Sequence, residues 1–149
     1  MLYTKGRNLF VRSTAVPGYP DWGGTIHSPD RYNLTSDYIP VNAGEKITAQ
    51  MWNDDYETYQ PWWCLQYFDA EKTYVSQPFR EIVSEEHKAV SATIPQNASY
   101  IRFGARYMMD GHYHTRLKLE FGDEATDWRP APEDAQMFGG GVELYDPCP

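Results

Sequence analysis

The sequence contains little cysteine and little positive charge. Two of its 149 residues are cysteine, Cys64 inside a hydrophobic run and Cys148 next to the last residue, which is a poor basis for a disulfide framework. Lysine and arginine together number 13 against 21 aspartates and glutamates, and the net charge is -8. Nucleic acids and anionic membranes attract clustered cations, and no such cluster is visible along the chain. We therefore expect neither nucleic-acid binding nor membrane insertion.

Long apolar runs and catalytic motifs are also missing. No segment approaches the length of a membrane span, and Met1 to Arg7 lacks the apolar region of a signal peptide, so we expect synthesis in the cytoplasm without one. Phosphate-binding glycine loops and nucleophile motifs are absent. The carboxylate pairs Asp54-Asp55 and Glu85-Glu86 are sequence neighbours, whereas a glycosidase needs two carboxyl groups that face each other about 5 to 9 Å apart. The expectation is a protein that is not an enzyme.

Aromatic side chains, in contrast, are abundant. Phe, Trp and Tyr make up 15% of the chain, with 12 Tyr and 5 Trp, while all hydrophobic residues together reach only 41%. More rings are present than a core requires, and Trp and Tyr suit exposed recognition surfaces because each combines an apolar body with a polar atom. The 11 Gly and 11 Pro favour many turns and short strands.

Alternation with a period of two indicates strands and their core faces. The apolar positions fall at every second residue in three segments, namely Ile47, Ala49 and Met51, then Ile101, Phe103 and Ala105, and finally Leu117, Leu119 and Phe121. We predict that the last two segments are antiparallel neighbours around the turn Asp110-Gly111-His112.

The remaining segments give about eight or nine short strands separated by turn signals, which predicts an all-β antiparallel sandwich or barrel. Asn8 to Arg12 is predicted as a strand and Ser28 to Ser36 as a loop. Arg80 to Lys88 is predicted as a loop or a single helical turn. We expect one domain over residues 1–134, followed by a Gly-rich linker or tail over residues 135–149.

Several short motifs resemble a known family. They are Asn8-Leu9-Phe10, Ile39-Pro40-Val41-Asn42-Ala43-Gly44-Glu45, Tyr67-Phe68-Asp69-Ala70, Ile94-Pro95 with Asn97-Ala98-Ser99-Tyr100-Ile101-Arg102-Phe103, Leu119-Glu120-Phe121-Gly122, Ala125-Thr126-Asp127-Trp128, and Pro130-Ala131-Pro132-Glu133-Asp134. Together they resemble the carbohydrate-binding, jelly-roll-like modules of tail and baseplate receptor-binding proteins from phages of Gram-positive hosts. Phe121 and Asp123 depart from the family, which usually has Lys and a small residue there.

The resemblance implies a jelly-roll β-sandwich that recognises a host cell-surface or cell-wall polysaccharide from the tail tip or baseplate of a virion. Other tail and baseplate proteins would be its further partners. It also allows a structural calcium ion, for which Asn8 and Asp127 lie in the appropriate terminal segments. A module that only packs against other tail proteins is the first alternative, and a glycan-cleaving enzyme is the second.

Sugar binding predicts rings that stack on the C–H face of a pyranose, with polar groups beside them for its hydroxyls. Trp52 and the loop after it rank first, and Trp22 comes next because a Gly/Pro-rich loop has little local core to bury it. Trp62 and Trp63 should point to opposite faces, with one of them in the core. The candidate residues are Trp22, Gln50, Trp52, Asp54, Asp55, Tyr56, Tyr59, Trp62, Trp63, Arg102, Arg106 and Tyr107.

The segment His112-Tyr113-His114, with Asp110 nearby, contains two imidazoles that could form half of a metal site. No third ligand follows at a recognisable spacing, and a hairpin loop with a polar tip is the better interpretation.

Overall fold

Short antiparallel strands make up most of the computed structural model, which describes residues 5–109, 112–113 and 115–136. Helical structure is confined there to a 3-10 helix, Arg12–Thr14, and to α1, Pro132–Gln136. The strands are β1 Val16–Pro17, β2 Tyr19–Pro20, β3 Ile26–His27, β4 Asn33–Thr35, β5 Ile39–Pro40, β6 Lys46–Asn53, β7 Trp62–Phe68, β8 Tyr74–Ile82, β9 His87–Thr93, β10 Tyr100–Arg106, β11 Met108–Met109, β12 His112–Tyr113 and β13 Thr115–Phe121. In this part of the chain, neither helix has the length or the apolar character that crossing a membrane requires.

Two antiparallel sheets form the body of the protein. The six-stranded sheet has the order β1-β4-β10-β7-β8, with β5 also paired to β10, and the three-stranded sheet has the order β13-β6-β9. Two small hairpins, β2-β3 and β11-β12, complete the described strands. The predicted all-β antiparallel fold is confirmed, and the arrangement is that of a β-sandwich. A jelly-roll topology stays a prediction.

A single hydrophobic core lies between the inner faces of the two sheets. Phe103 and Leu65 of the six-stranded sheet pack in one cluster with Ile47 and Leu119 of the three-stranded sheet. All three segments with the predicted period of two have their apolar residues buried, so these predicted core faces are confirmed. Cys64 is also fully buried, and burial raises the pKa of its thiol to about 12.

The predicted pairing of the last two alternating segments is wrong. β10 pairs with β4, β5 and β7, whereas β13 pairs with β6 in the other sheet. Their apolar faces meet across the core instead of lying side by side. The hairpin β11-β12 separates them in sequence. Alternation specifies which face of a strand is buried but not which strand lies next to it.

The N-terminal segment, predicted as a strand from Asn8 to Arg12, is irregular and ends in the 3-10 helix. The Asn8 side chain explains this conformation. Its Nδ2 donates to the carbonyls of Leu117 and Arg129 at 2.9 and 3.0 Å, and its Oδ1 accepts from the N–H groups of Phe10 and Leu119. One buried amide thus replaces the regular ladder of a strand.

Two further loop predictions are wrong. The segment predicted as a loop over Ser28 to Ser36 contains β4, which pairs with β1 and β10. The charged segment from Arg80 to Lys88 holds the end of β8 and the start of β9. These strands can carry charged side chains because β8 and β9 are edge strands, each paired on one side only within the described sheets. Helix α1 crosses the predicted boundary at residue 134, and residues 137–149 of the predicted tail lie outside the described part.

The outer face of the three-stranded sheet carries buried polar side chains. The Lys118 ammonium donates to Thr126 Oγ1 and to the Asp127 carbonyl, both at 2.6 Å, and lies 3.7 Å from the Glu120 carboxylate. Glu120 in turn accepts from Gln50 at 2.9 Å and from Thr126 at 2.6 Å. Burial lowers the pKa of Lys118 from its ordinary value. This network fastens the segment after β13 across the sheet.

The turn between β2 and β3 covers the middle of the six-stranded sheet's outer face. Gln66 Nε2 donates to the Asp21 carbonyl at 2.8 Å, and Thr35 Oγ1 donates to the Gly18 carbonyl at 2.9 Å. A Cβ at Gly104 would lie 3.2 Å from Pro20 Cδ, so glycine permits this close approach. The turn leaves one end of the face uncovered.

Replacing Lys118 with Ala tests the buried network. We expect the free energy of unfolding to fall by about 3–5 kcal/mol, because Glu120 would remain buried without its cation. The matched control is Lys88→Ala, which removes a half-exposed ion pair with Glu81 and should cost no more than about 1 kcal/mol. Urea denaturation of both variants measures the difference, and equal losses would contradict the assigned role of Lys118.

Candidate functional site

The uncovered end of the six-stranded sheet presents one row of side chains across four strands. In register, Trp62 of β7 lies opposite Ile82 of β8, and Arg106 of β10 lies opposite Asn33 of β4. Pairing of Trp63 with Ala105 places Trp62 beside Arg106. The indole Nε1 of Trp62 donates to Asn33 Oδ1 at 3.0 Å, which fixes the plane of the ring.

An arginine sits between two tryptophans above this row. The Arg80 guanidinium carbon lies 4.9 Å from the centroid of the Trp22 ring and 5.3 Å from that of Trp62. Arg80 is held in place by the carbonyl of Pro20 at 2.9 Å and by Gln77 Oε1 at 3.3 Å. Trp22 is 70% exposed, so the arginine supports a ring whose surface is largely open to solvent.

A second cation lies among tyrosines on the same face. The Arg106 guanidinium lies 5.5 Å from the ring centroid of Tyr32 and 6.0 Å from that of Tyr59. Tyr59 donates its hydroxyl to the Arg106 carbonyl at 3.1 Å, and burial raises the pKa of this phenol to about 12. Arg31 donates to the Tyr32 hydroxyl at 2.8 Å. We call this surface the Trp22–Trp62 platform; its members are Trp22, Arg31, Tyr32, Trp62, Arg80, Ile82 and Arg106.

The turn that carries Trp22 has a twin elsewhere in the chain. Asp21 Oδ1 accepts from the N–H groups of Gly23 and Thr25, and the Asp21 N–H donates to the Thr25 carbonyl. Asp69 makes the same three hydrogen bonds with the residues two and four positions after it.

Both turns have their fourth residue at positive φ, +86° for Gly24 and 64° for Lys72. Trp22 occupies the position that Ala70 takes in the twin turn. Because the twin turn forms with alanine there, the turn itself does not require a tryptophan.

A second cluster of rings and cations lies on the outer face of the three-stranded sheet. Trp52 of β6 stacks on His87 of β9 with ring centroids 4.9 Å apart, and His87 Nε2 lies 2.7 Å from Gln50 Oε1. Arg116 lies opposite Trp52 on β13, 4.0 Å from the Asp54 carboxylate and 5.4 Å from the Trp128 ring centroid. We call these residues the Trp52 cluster.

The predicted sugar-contact residues thus separate into groups. Three belong to the platform, namely Trp22, Trp62 and Arg106. Three belong to the Trp52 cluster, namely Trp52, Gln50 and Asp54, although Gln50 itself is buried. Asp55 and Tyr56 follow β6 in the turn that leads towards β7 and are partly exposed.

The other predicted contact residues are buried in the sandwich. Trp63 and Tyr107 are at most 1% exposed and belong to the core, while Tyr59 is 4% exposed. Arg102 is 6% exposed, donates to the Ser36 carbonyl at 2.8 Å and lies over the Tyr38 ring. The prediction that Trp62 and Trp63 point to opposite faces, with one in the core, is confirmed. Buried positions favour a packing role for these four side chains.

Sequence reasoning did not single out several platform residues, namely Arg31, Tyr32, Arg80 and Ile82. Two lie in the segment predicted as a loop before β4, and two lie at the end of β8, where a loop or helical turn was predicted. The signal that could have identified Arg80 is its place in an extended segment directly after the Tyr74-to-Phe79 strand.

Asn8 and Asp127 do not fit a calcium ion. Asn8 Oδ1 already accepts two backbone N–H groups, and the Asp127 carbonyl accepts from the Lys118 ammonium, whose charge would repel a cation. The described residues contain no group of three His, Cys, Asp or Glu side chains that could hold a metal. Of the predicted half site, only the backbone of His112 and Tyr113 is described, while Asp110 and His114 lie outside the described residues.

A cleft of about 340 Å³ lies between the N-terminal segment and β5. Its lining includes Leu9, Tyr38 and Ile39, together with the ion pair between Arg7 and Glu133 at 3.0 Å. Neither carboxylate pair considered for glycosidase chemistry lines this cleft. A non-enzymatic role stays a prediction.

The ionisation of Asp21 offers a test of the platform turn. The hydrogen bond from His27 at 3.0 Å, followed by those from the N–H groups of Gly23 and Thr25, lowers the pKa of Asp21 below its usual range. The stabilising contribution of Asp21 is therefore present above its ordinary pKa and is lost as pH falls through the lowered value. We expect His27→Ala to raise the pKa of Asp21 in a ¹³C-carboxyl NMR titration. His87→Ala is the control and should leave it unchanged; an unaltered Asp21 pKa in His27→Ala would contradict the assignment.

No protein-family model matches the chain. Over 142 residues, 94% of its length, the chain is 28% identical to a tail fiber protein of Enterococcus phage phiEF24C, and it spans 7% of that protein's length. Among solved structures, the K1 cleaved adhesin domain of Lys-gingipain from Porphyromonas gingivalis W83 aligns with a TM-score of 0.43 and 13% identity, over 62% of this chain and 63% of that one. The K3 domain of the same protein aligns with a TM-score of 0.40 and 12% identity, over 60% and 61%. The chain is thus similar in sequence to a small part of a phage tail fiber protein.

Proposed function

We propose that this chain is a non-catalytic carbohydrate-binding module of a phage tail, located in the virion, and that the Trp22–Trp62 platform binds a polysaccharide of the host cell surface or wall. Sequence similarity to a tail fiber protein over 94% of the chain supports the tail setting. Because the chain corresponds to only 7% of that relative, the module would act within a much longer fiber or baseplate protein.

The observation that carries the proposal is the exposure of Trp22 on a fixed turn. A tryptophan that is 70% exposed gains little from folding, and the twin turn shows that the backbone does not need it. The ring is held by Arg80 below and by the hydrogen bonds of Asp21 around it. A ring fixed before binding loses little conformational entropy when the C–H face of a sugar stacks on it.

Polar groups next to the rings are available for sugar hydroxyls. Arg80 lies beside Trp62, and Arg106 and Arg31 surround Tyr32. A shallow platform of this kind gives weak binding per module, which many copies on one particle would strengthen through avidity.

A packing module for other tail proteins is the second candidate. Ile82 is 63% exposed beside Trp62, and an exposed aliphatic side chain next to an aromatic ring is also typical of a protein contact. This candidate requires that the platform bind a tail protein and no glycan.

Replacing Trp22 with Ala tests the proposed function. We expect affinity for purified cell-wall polysaccharide of an Enterococcus host to fall about tenfold or more, with stability changed by no more than about 1 kcal/mol. Trp52→Ala is the matched control, since Trp52 stacks on His87 on the opposite outer face. Isothermal titration calorimetry measures both variants. Loss of binding in Trp52→Ala alone would move the site to the Trp52 cluster, and absence of binding in the unmodified protein would favour the packing module.

The twin turns provide a second test. Asp21→Ala and Asp69→Ala remove the same set of side-chain hydrogen bonds, so each should lower the free energy of unfolding by a similar amount. Only Asp21→Ala should weaken polysaccharide binding, because it frees the turn that presents Trp22. Equal effects on binding would mean that the loss reflects stability and that the orientation of Trp22 is unimportant.

A further inference from the structure

We propose that the ligand of the Trp22–Trp62 platform is an acidic polysaccharide, whose repeating unit carries a carboxylate or a phosphate. This inference rests on the proposed function and specifies its substrate class. The reasons are the charge, the environment and the spacing of the platform's arginines.

The platform concentrates positive charge on an acidic protein. The net charge is -8, yet Arg31, Arg80 and Arg106 lie together on one outer face. Within the residues that the structure describes, none of these three arginines forms an ion pair with a carboxylate. Other cations of the chain are neutralised in this way, namely Lys5, Arg7, Lys88, Arg116 and Lys118.

The nearby acidic side chains are already engaged. Asp30 precedes Arg31, but its two carboxylate oxygens accept from the N–H of Tyr32 and from Asn33 Nδ2, both at 2.9 Å. Asp21 accepts from the backbone of its own turn and contacts His27 at 3.0 Å. These carboxylates therefore shape turns, and among the described residues the three arginines have no carboxylate counterion.

Arg106 occupies a costly environment in the absence of an anion. Its guanidinium is flanked by Tyr32 and Tyr59, and its Nε is buried without a hydrogen-bond partner in the described residues. A partly desolvated cation of this kind gains more from an anionic partner than a fully hydrated one does. An incoming carboxylate or phosphate would pair with the two terminal nitrogens of the guanidinium, since Nε itself is buried.

The order of rings and cations matches an acidic sugar chain. Arg80 lies between Trp22 and Trp62, and Arg106 lies between Tyr32 and Tyr59. Sugar rings can stack on Trp22, Trp62 and Tyr32, which are at least partly exposed, while acidic substituents meet the guanidinium groups. Guanidinium groups bind carboxylates and phosphates through paired N–H donors. A neutral polysaccharide would stack on the rings but would form no ion pair with the guanidinium groups.

The experiment compares polymers that differ only in charge. The full chain is titrated calorimetrically with polygalacturonate and with its carboxyl-reduced, neutral form. A poly(glycerol phosphate) teichoic acid serves as the phosphate arm. We expect at least one acidic polymer to bind about tenfold or more tightly than the neutral one, with an affinity that falls as salt rises. The preferred arm, carboxylate or phosphate, identifies the acidic group.

Two substitutions locate the effect. Arg106→Gln and the more exposed Arg31→Gln should each reduce affinity for the acidic polymer several-fold, and by a larger factor than they reduce affinity for the neutral polymer. Lys46→Gln is the control, because Lys46 is an exposed cation at the start of β6. Arg31→Gln keeps the test valid if Arg106→Gln impairs folding. Thermal melts of every variant distinguish a loss of affinity caused by the missing charge from one caused by unfolding.

The outcomes are distinguishable. Equal binding of acidic and neutral polymers, abolished by Trp22→Ala, would overturn the acidic-ligand inference and leave the proposed function standing. Absence of binding to every polymer, host polysaccharide included, would overturn both. Binding of a single-stranded oligonucleotide as tightly as the best acidic polymer, with the same sensitivity to Arg106→Gln, would reassign the platform to nucleic acid.

Discussion

Buried polar side chains on the outer faces of both sheets impose the constraint on which the rest of the structure depends. A buried amide, ammonium or carboxylate is tolerated only when it is hydrogen-bonded, and Gln66, Lys118 and Glu120 all lie on outer faces with almost no exposure. Connecting segments must therefore cross these faces and supply backbone and side-chain partners. The turn around Asp21 does so on one sheet, and the segment through Thr126 and Asp127 does so on the other.

This constraint also determines where a binding surface can form. The turn that accepts hydrogen bonds from Gln66 Nε2 and Arg80 carries Trp22 next to the uncovered row of Trp62 and Arg106. The same hydrogen bonds that cover the sheet thus set the position of the exposed ring. Because β6 ends where the turn towards β7 begins, Trp52 and Trp62 lie at one end of the sandwich, on opposite outer faces. Each sheet therefore has one ring–arginine cluster at that end.

The sequence predicts well which face of a strand is buried, but it predicts poorly which strands pair with each other. Alternation identified the buried face of β6 and predicted that one of Trp62 and Trp63 would be buried, and the structure shows that this residue is Trp63. These properties are local to one strand, and a period of two is sufficient to recognise them. The pairing of β10 with β7 and β4 depends on contacts between distant segments, and alternation alone allowed the wrong partner. The short strand β4 escaped notice because its buried residues Asn33 and Thr35 are polar, with side chains hydrogen-bonded to the Trp62 indole and the Gly18 carbonyl.

The candidate site was partly predictable for the same reason. Trp22 could be identified as exposed because a Gly/Pro-rich turn has no core of its own. The arginines could not be assigned to it, since Arg31, Arg80 and Arg106 are far apart in sequence and meet only through the register of four strands. The linear sequence contains no cationic cluster and therefore argues against anionic ligands. The folded surface, in contrast, does contain a cationic cluster. Net charge describes the average field of a protein, and at contact distance a ligand responds mainly to the few charges directly beside it. An overall charge of -8 is therefore compatible with an anionic ligand at this platform, and the opposing average field should appear as a slow, salt-sensitive approach and not as a loss of contacts.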